Sequence, residues 1–255
     1  MTPIALEAFG LTKSFGGVRA VSDLSFAVPE GAIAALIGPN GAGKTTVFNL
    51  VTNLSPADAG EAKFFGASLR GTSPSTIARR GLLRTFQTAR VFPGMTTLEN
   101  VLAGAHRQMR ASSAAQMLWL PTALREETSM TRQAEALLEL VNLAAFRDVP
   151  ATSLPMGAQK LLEVCRAFMA RPRLLLLDEP AAGLNDAETV ELATLLRAVC
   201  DSGVTIVVVE HNMSLVMDIA DLVIVLDLGR LLAKGTQAEI RRDPRVIEAY
   251  LGMEA

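Results

Sequence analysis

The sequence predicts an α/β fold with a mostly parallel sheet, antiparallel strands near the N-terminus and an inserted α-helical subdomain. Three observations lead to this prediction. Apolar and polar residues alternate near the N-terminus, which is typical of half-buried antiparallel strands. Short, continuous apolar runs recur later, as in parallel strands that are covered on both faces. Segments with helical periodicity separate these runs, which indicates alternating strands and helices.

The strands are predicted from the spacing of the apolar residues. Residues 4–8 and 24–28 alternate and are expected to form the antiparallel strands. Continuous apolar runs occupy residues 33–37, 174–177, 204–209 and 222–226, and these are expected to form the buried strands. Residues 187–199 have helical periodicity and are expected to form one of the intervening helices.

The middle of the chain differs, because residues 97–171 show helical periodicity and no convincing strand. We therefore expect one domain over residues 1–255, with a helical subdomain (97–171) inserted between two core segments (1–96 and 172–255). Breaks between helices are expected at Ser112-Ser113 and at Leu120-Pro121. Thr131 is expected to cap a helix with an apolar face that comprises Ala134, Leu137, Leu138 and Val141.

Composition narrows the class of protein. Half of the 255 residues are hydrophobic, so a sizeable core is expected. The 24 basic and 26 acidic residues give a net charge of -2, which argues against a general nucleic-acid binder. The longest apolar runs are strand-sized, well short of the roughly 20 residues of a membrane-spanning helix. With no secretory signal, we expect a soluble chain that reaches a membrane only through a partner.

One segment after the buried run 33–37 fits the phosphate-loop pattern G-x-x-x-x-G-K-[ST]. Its glycines allow backbone N–H groups to surround phosphates, and the helix that follows directs its positive end at the anion. Lys44 is expected to reach the outer phosphates, and the Thr45 hydroxyl to bind Mg²⁺. The predicted nucleotide-binding residues of this segment are Gly38, Pro39, Asn40, Gly41, Ala42, Gly43, Lys44, Thr45 and Thr46.

Two acidic residues follow the apolar run 174–177 and are expected at the carboxyl edge of the sheet, where open α/β sheets bind ligands. Asp178 can hold Mg²⁺, usually through water, and Glu179 can polarise the attacking water. His211 ends another buried run and can hydrogen-bond the γ-phosphate. Alone, the acidic pair is weak evidence, because surface acids often close strands, and His211 alone is better explained as a polar strand end. Together with the phosphate loop these residues predict an ATPase. Lys44, Glu179 and His211 are the predicted catalytic residues.

The order of these motifs resembles that of ATP-binding cassette (ABC) ATPases over essentially the whole chain, and implies a P-loop NTPase core. The resemblance implies that Phe15 stacks on adenine. It implies that Gln87 joins the core to the helical subdomain and contacts Mg²⁺ and the γ-phosphate. Residues 182–185 would then form the loop that crosses the dimer interface.

The family's signature motif, usually Leu-Ser-Gly-Gly-Gln, corresponds here to residues 153–159. Gly157 is kept and is expected to contact the nucleotide of a partner subunit. Pro155 replaces the serine, Met156 a glycine and Ala158 the glutamine. The stretch 160–170 is expected to form an amphipathic helix whose N-terminus points at phosphate, but the hydroxyl donor is missing.

A narrower resemblance, to branched-chain amino acid importer ATPases, rests on residues 84–87, 178–185, 210–213 and 246–252. It implies ATP and Mg²⁺ as ligands, two membrane permease subunits and, indirectly, a solute-binding protein. It also implies a peripheral location on the cytoplasmic face of a bacterial-type inner membrane. Because the signature is altered, a heterodimer with a second ABC ATPase subunit is favoured, and a homodimer stays an alternative.

Other functions are weighed against this one. A soluble ABC ATPase that serves assembly or repair is the main alternative, although long coiled-coil insertions and a second cassette are both missing from the sequence. Glu179 and His211 argue against a regulator that binds nucleotide without hydrolysing it. No segment suggests the second substrate pocket that a phosphate-loop kinase needs. Cys165 and Cys200 are expected to be buried thiols in a reducing compartment.

Overall fold

The computed structural model describes residues 3–85, 91–108 and 121–251. The chain divides into two compact units. The first comprises Met1–Arg84, Arg173–Ala182 and Leu196–Ala255, and the second comprises Thr85–Pro172 and Gly183–Leu195. The second unit therefore contains the range 97–171, for which the sequence predicts helices, together with a second and later segment.

A four-stranded antiparallel sheet in the first unit has its strands in the order β2-β1-β4-β5. The alternation seen in the sequence is the pleat of its two long strands, since Leu6, Ala8 and Leu24 face the core. The strands are β1 (Ile4–Phe15), β2 (Val18–Pro29), β4 (Ala59–Phe64) and β5 (Ala67–Ser68).

The second sheet of this unit has six strands in the order β10-β9-β3-β8-β7-β6. All neighbours pair in parallel except β9 and β10, which are antiparallel. Every residue of β3, β7 and β8 is buried, as the continuous apolar runs predict. The strands are β3 (Ile33–Ile37), β6 (Leu82–Arg84), β7 (Leu174–Asp178), β8 (Thr205–Val209), β9 (Leu222–Asp227) and β10 (Arg230–Gly235).

Helix α1 (Lys44–Val51) joins the two sheets through one apolar cluster. Its Val47, Phe48 and Val51 are buried together with side chains of both sheets. Burial of an aromatic side chain the size of Phe48 stabilises the fold by roughly 1.5–3 kcal/mol. The other helices of this unit are α2 (Pro74–Arg79), α7 (Met213–Ile219), α8 (Gln237–Ile240) and α9 (Pro244–Leu251).

The second unit is helical in its described part. Helix α3 (Thr97–Ala103) begins with a capping box between Thr96 and Glu99, and packs against α4 (Pro121–Leu140) and α5 (Met156–Met169). Short 3₁₀ turns occupy Gly104–Gln108, Ala144–Phe146 and Ala151–Ser153. Helix α6 (Asp186–Asp201) begins in this unit and ends in the first.

The expected cap at Thr131 is wrong. Helix α4 already begins at Pro121, and the Thr131 hydroxyl donates to the Glu127 carbonyl one turn earlier, at 2.9 Å. A proline is favourable at the first helical position because its missing N–H has no intrahelical partner there. The predicted break at Leu120-Pro121 is therefore the signal that locates the start of the helix, while Ser112-Ser113 lies outside the described residues.

Other expectations for this part are confirmed in substance. Ala134 and Leu138 are fully buried on the apolar face of α4, and the helix expected at 160–170 is α5, which begins four residues earlier. Cys165 and Cys200 are buried free thiols. Among the described helices, none has the length and apolar character that crossing a membrane requires.

Candidate nucleotide site

Three neighbouring parallel strands bring the predicted site residues to one edge of the sheet. Strand β3 pairs with β8, and β8 pairs with β7, with Val209 opposite both Leu36 and Asp178. The phosphate loop follows β3, Asp178 ends β7, and His211 follows β8. Because the carboxyl ends of parallel strands share an edge, residues that are far apart in the sequence converge here.

The backbone of the phosphate loop requires glycine at particular positions. Gly38 has φ 149°, and a Cβ added there would lie 2.1 Å from the Leu226 carbonyl oxygen. Gly43 has φ 97°, and a Cβ there would lie 2.4 Å from the Ala20 carbonyl oxygen. The close approach of strands β2 and β9 thus leaves the loop no room for side chains at these two positions.

Helix α1 starts directly after Gly43, which is its N-cap residue and provides no side-chain hydrogen bond. The first N–H groups of an α-helix have no intrahelical acceptor, and together they carry the positive end of the helix dipole. Thr45 and Thr46 lie in this first turn, with Thr45 exposed and Thr46 half-buried. The loop and helix therefore form an anion-binding concavity that is flanked by hydroxyl groups.

Lys44 is the cation of this concavity. Its ammonium group donates hydrogen bonds to the carbonyl oxygens of Gly38, at 2.7 Å, and Pro39, at 2.9 Å. Burial lowers the pKa of Lys44, whereas the nearby carboxylates of Glu179 and Asp178 raise it. The lysine is thus held across the mouth of the loop, with both acidic residues close enough to influence its charge.

Asp178 is buried, and its two oxygens have different surroundings. The Arg84 guanidinium donates to Oδ2 at 2.8 Å, and the same guanidinium donates to the Asn49 Oδ1 at 2.6 Å. Oδ1 of Asp178 is buried and has no hydrogen-bond partner among the described residues. A free carboxylate oxygen beside a phosphate loop is the kind of ligand that Mg²⁺ prefers, so these residues fit the metal.

Glu179 and His211 form a pair, with Nε2 of the imidazole 3.0 Å from Oε1 of the carboxylate. Glu179 has a left-handed backbone with φ 51°, which is unfavourable for a residue with a Cβ and is kept only where neighbours hold it. Its N–H donates to the Val209 carbonyl at 2.9 Å. A carboxylate and an imidazole that already share a hydrogen bond are suited to orienting water and moving its proton.

Phe15 ends β1 at the tip of the β1–β2 hairpin, where its ring is half exposed. The Lys13 ammonium lies 5.4 Å from the ring centroid. Because Ala20 of the same hairpin approaches Gly43, the hairpin borders the phosphate loop. An exposed aromatic ring at this border is compatible with the adenine stacking that the family resemblance implies for Phe15. Gln87 lies outside the described residues.

Gly157 lies in the second unit, in the first turn of α5. Pro155 is the N-cap residue of α5, with φ -52° and ψ 153°, and it provides no side-chain hydrogen bond. Met156 is 74% exposed, and Gly157 packs so closely on Glu188 that an added Cβ would lie 2.2 Å from its carboxylate. Glu188 in turn accepts a hydrogen bond from the Asn185 N–H at 2.9 Å.

The family follows from comparison with known proteins. A family model described as ABC transporter matches residues 21–182, from β2 through the acidic pair. The chain belongs to the ABC transporter family. A second model, described as branched-chain amino acid ATP-binding cassette transporter, matches residues 230–253. The chain is accordingly an ATP-binding, ATP-hydrolysing cassette coupled to transport, and the alternative of an assembly or repair ATPase is not favoured.

Relatives match over almost the full chain. The high-affinity branched-chain amino acid transport ATP-binding protein BraF of Pseudomonas aeruginosa is 43% identical over 248 residues, covering 97% of each chain. LivG of Escherichia coli, with the same description, is 40% identical over 253 residues, covering 99% of each chain. The crystal structure of the ADP conformation of MJ1267, an ATP-binding cassette of an ABC transporter, is 30% identical with a TM-score of 0.81, covering 98% of this chain and 99% of that one.

The structure gives contacts at the site to three residues for which the sequence predicts no individual role. Arg84 donates a hydrogen bond to Asp178 and is itself oriented by Asn49. Glu210 accepts hydrogen bonds from backbone N–H groups in the loop after β7 and in the loop after β8. The sequence gives no signal for the pairing of Arg84 with Asp178 and Asn49, although Arg84 lies in the matched segment 84–87, because this pairing depends on how β6, α1 and β7 pack. Glu210 does have a sequence signal, because it directly follows the largely apolar strand β8. A charged residue next to a buried strand is seldom buried without hydrogen-bond partners, so a structural role could have been predicted for it.

Proposed function

We propose that the chain is the ATPase subunit of an importer that powers uptake of branched-chain or related amino acids. The observation that carries the proposal is the convergence of Lys44, Asp178 and the Glu179–His211 pair at one sheet edge. The solute class is supported by the names of BraF and LivG and by the C-terminal match over residues 230–253.

ATP binding is assigned to the phosphate loop and the hairpin tip. The N–H groups of the loop and of the first turn of α1 bind the phosphate oxygens. Lys44 exchanges its bonds to Gly38 and Pro39 for bonds to the outer phosphates. Phe15 stacks on adenine with its exposed face. A hydrogen bond to a charged group contributes roughly 1.5–3 kcal/mol, so each of these contacts strengthens ATP binding.

Mg²⁺ belongs to the same site. Asp178, through its unpartnered Oδ1, and the Thr45 hydroxyl are the described residues that would hold the ion, with Gln87 as the third proposed ligand. When bound, the ion neutralises charge on the β- and γ-phosphate oxygens. Arg84 keeps Asp178 oriented by engaging the other oxygen.

Hydrolysis requires a water molecule in line with the γ-phosphate. The Glu179 carboxylate accepts a hydrogen bond from that water and takes up its proton as the water oxygen bonds to the γ-phosphorus. The bond from that phosphorus to the bridging oxygen breaks in the same step, and ADP leaves with the electron pair. His211 donates to Glu179 or to a phosphate oxygen, depending on its tautomer, and keeps the carboxylate directed at the water. Lys44 stabilises the charge that spreads over the departing phosphate oxygens.

The complete assembly is proposed to contain two ATPase subunits, two permease subunits and an external solute-binding protein. Each ATP would lie between one subunit's phosphate loop and the other's signature. Pro155 has neither a hydroxyl nor an N–H, so this chain's signature lacks both phosphate donors that a serine would offer its partner at this position. A second, different ATPase subunit with an unaltered signature is therefore favoured over a homodimer.

The permease is proposed to bind the second unit near Phe92, on the cytoplasmic face of the inner membrane. Phe92 is 48% exposed, and the Arg166 guanidinium lies 4.7 Å from its ring centroid. Replacing Phe92 by Asp puts a charge in place of this exposed aromatic side chain. We expect the Phe92→Asp chain to fold but to lose the permease.

The test is copurification of the permease in detergent with the tagged ATPase. Phe146→Asp is the matched control, since Phe146 is 44% exposed in the same unit but is not assigned to docking. Loss of the permease with Phe92→Asp and retention with Phe146→Asp supports the transporter function. Equal recovery of the permease with both variants contradicts the docking site. Uptake of labelled leucine by vesicles that contain the intact complex tests the solute class.

A further inference from the structure

Glu210 lies directly after β8 and is almost completely buried, with 2% of its surface exposed. Its carboxylate accepts three backbone hydrogen bonds. Oε1 accepts from the Ala181 N–H at 2.7 Å, and Oε2 accepts from the N–H groups of His211, at 3.1 Å, and Asn212, at 3.2 Å. One side chain therefore bridges the loop after β7 and the loop after β8.

The loop after β7 carries the strained residue of the site. Glu179 has φ 51°, and the Ala182 N–H donates to the Glu179 carbonyl at 3.2 Å, closing a tight turn. Ala181 is inside this turn, and its N–H is bound by Glu210. A left-handed residue with a Cβ is unfavourable, so a fixed partner within the turn is needed to keep it.

The loop after β8 carries His211. The backbone N–H of His211 is bound to Glu210, while its imidazole Nε2 lies 3.0 Å from Oε1 of Glu179. The two loops thus meet twice, once through the buried Glu210 carboxylate and once through the Glu179–His211 pair. The buried bridge therefore joins the backbone segments that carry the two residues of the functional pair.

We propose that Glu210 is a positioning residue that keeps the Glu179 carboxylate and the His211 imidazole in register for water activation. The proposal rests on the roles given above to Glu179 and His211. Glu210 itself contacts backbone groups and acts only through the two residues that it aligns. A displacement of about 1 Å in such a pair is expected to lower the rate roughly 100-fold.

The bridge specifically requires a carboxylate. An ionised carboxylate only accepts hydrogen bonds, whereas an amide has one accepting and one donating end. In Glu210→Gln the NH₂ group must face either the Ala181 N–H or the pair from His211 and Asn212. Donor then faces donor on one side, so this nearly isosteric change opens the bridge without creating a cavity.

Glu210→Asp opens the same bridge differently. The shorter carboxylate keeps its charge and can still accept from the next two N–H groups, as in an Asx turn. It withdraws from Ala181, which lies 29 residues away in the sequence. Glu210→Gln and Glu210→Asp differ in charge and length, but both are expected to weaken the hydrogen-bonded bridge between the loops after β7 and β8.

Asp221→Asn is the matched control. Asp221 is also a carboxylate that binds the sheet backbone, since its Oδ2 accepts from the Ile33 N–H at 2.8 Å at the other end of β3. It also pairs with Arg197, at 3.2 Å. The control therefore makes the same carboxylate-to-amide change in the same sheet, away from the nucleotide edge.

The first experiment measures ATP hydrolysis by the assembled transporter and ATP affinity separately. We expect both Glu210 variants to lower kcat about 10- to 100-fold with less than about threefold change in Kd for a fluorescent ATP analogue. Asp221→Asn is expected to keep kcat within about twofold, whatever its melting temperature. Unchanged kcat in Glu210→Gln overturns the proposal, as does a kcat loss that is matched by Asp221→Asn.

The second experiment does not depend on turnover. The chain has two histidines, so the imidazole ¹H–¹⁵N shifts of His211 can be assigned, with His106 as an internal reference. Without nucleotide, Glu210→Gln and Glu210→Asp are expected to move the His211 shift toward its value in Glu179→Ala. An unmoved His211 shift in both variants overturns the positioning role. Normal hydrolysis by Glu179→Ala instead overturns the proposed function on which it rests.

Discussion

Two regions differ in the hydrogen bonding of their polar groups. One is the phosphate-loop edge of the first unit, which contains Lys44, Asp178, Glu179 and His211. The other is the signature turn of the second unit, residues 153–159. At the edge, Lys44 and Asp178 have bonded partners, and Glu179 pairs with His211. At the signature turn, the N-cap residue is Pro155, without a side-chain hydrogen bond, beside the exposed Met156. On the proposed function, the chain would therefore supply more polar contacts to the nucleotide on its own phosphate loop than to the nucleotide of a partner subunit.

Lys44→Ala is expected to cause the largest loss of ATPase activity. It tests whether the phosphate loop of this chain contributes more to hydrolysis than its signature does. It removes the loop's cation, so the site built on this chain's phosphate loop should lose ATP binding and hydrolysis. The equivalent lysine change in the partner inactivates only the site that uses the altered signature. In steady-state ATPase assays of the assembled complex, we expect the first change to be much more damaging. Equal losses would break the comparison.

Glu179→Gln is expected to be nearly as damaging to turnover while sparing binding. An amide cannot take up the proton from water, and loss of a general base costs roughly 10²–10⁴-fold in rate. ATP that is bound but not hydrolysed should hold the two ATPase subunits together. Size-exclusion chromatography with light scattering should show the trapped dimer with the cognate partner. Monomer alone in the presence of ATP would contradict the shared-site arrangement.

Pro155→Ser is expected to have a smaller effect of opposite sign. A serine restores a hydroxyl at the start of α5, and one hydrogen bond to a charged group is worth roughly 1.5–3 kcal/mol, or about one to two decades in rate. The gain should be visible in complexes that carry Lys44→Ala, where only the partner's phosphate loop is active. Pro155→Ala restores the N–H alone and is the control. A gain in both variants would assign the defect to the missing N–H.

The smallest expected effect is on the rates at which the two buried cysteines react with a thiol reagent, one cysteine being in each unit. Burial raises the pKa of Cys165, in the second unit, from 9.0 to about 12, so its thiol stays protonated near pH 8. Burial also raises the pKa of Cys200, in the first unit. Both are buried and should react slowly with a maleimide. Because the phosphate loop lies in the first unit, ATP should slow the local opening that exposes Cys200 more than the opening that exposes Cys165. Mass spectrometry after timed labelling measures this, and Lys44→Ala should remove the protection.

The raised pKa of Cys165 also has a consequence for stability, with a defined sign. The unfolded thiol ionises from about pH 9, but the folded thiol does so only near its pKa of about 12. The folded state therefore binds the proton more tightly, and its contribution to stability is present below pH 9 and is lost as the pH rises toward 12. Cys165→Ala should weaken this alkaline decline in chemical denaturation.

Most of the edge was predictable from sequence, because each of its residues follows a fully apolar strand or lies in a motif of fixed spacing. The left-handed turn at Glu179 and the role of Glu210 were not, since both depend on the register between β7 and β8. The cap at Thr131 was wrong because a threonine within a long helix can bond to its own preceding turn. Local sequence patterns predict helices, strands and motifs. Contacts between residues that are distant in the sequence can be identified only once the packed structure is known.

The convergence of β3, β7 and β8 at one edge couples ligand binding to folding. Gly38, Asp178 and His211 come from separate segments of the chain and meet only when these strands are paired. An unfolded chain has no such site, so ATP binds the native state alone. By mass action, ATP at a hundredfold excess over Kd stabilises that state by about 2.7 kcal/mol. Bound ATP is therefore expected to lower the population of unfolded chain, and with it the rate of proteolysis, whenever nucleotide is abundant.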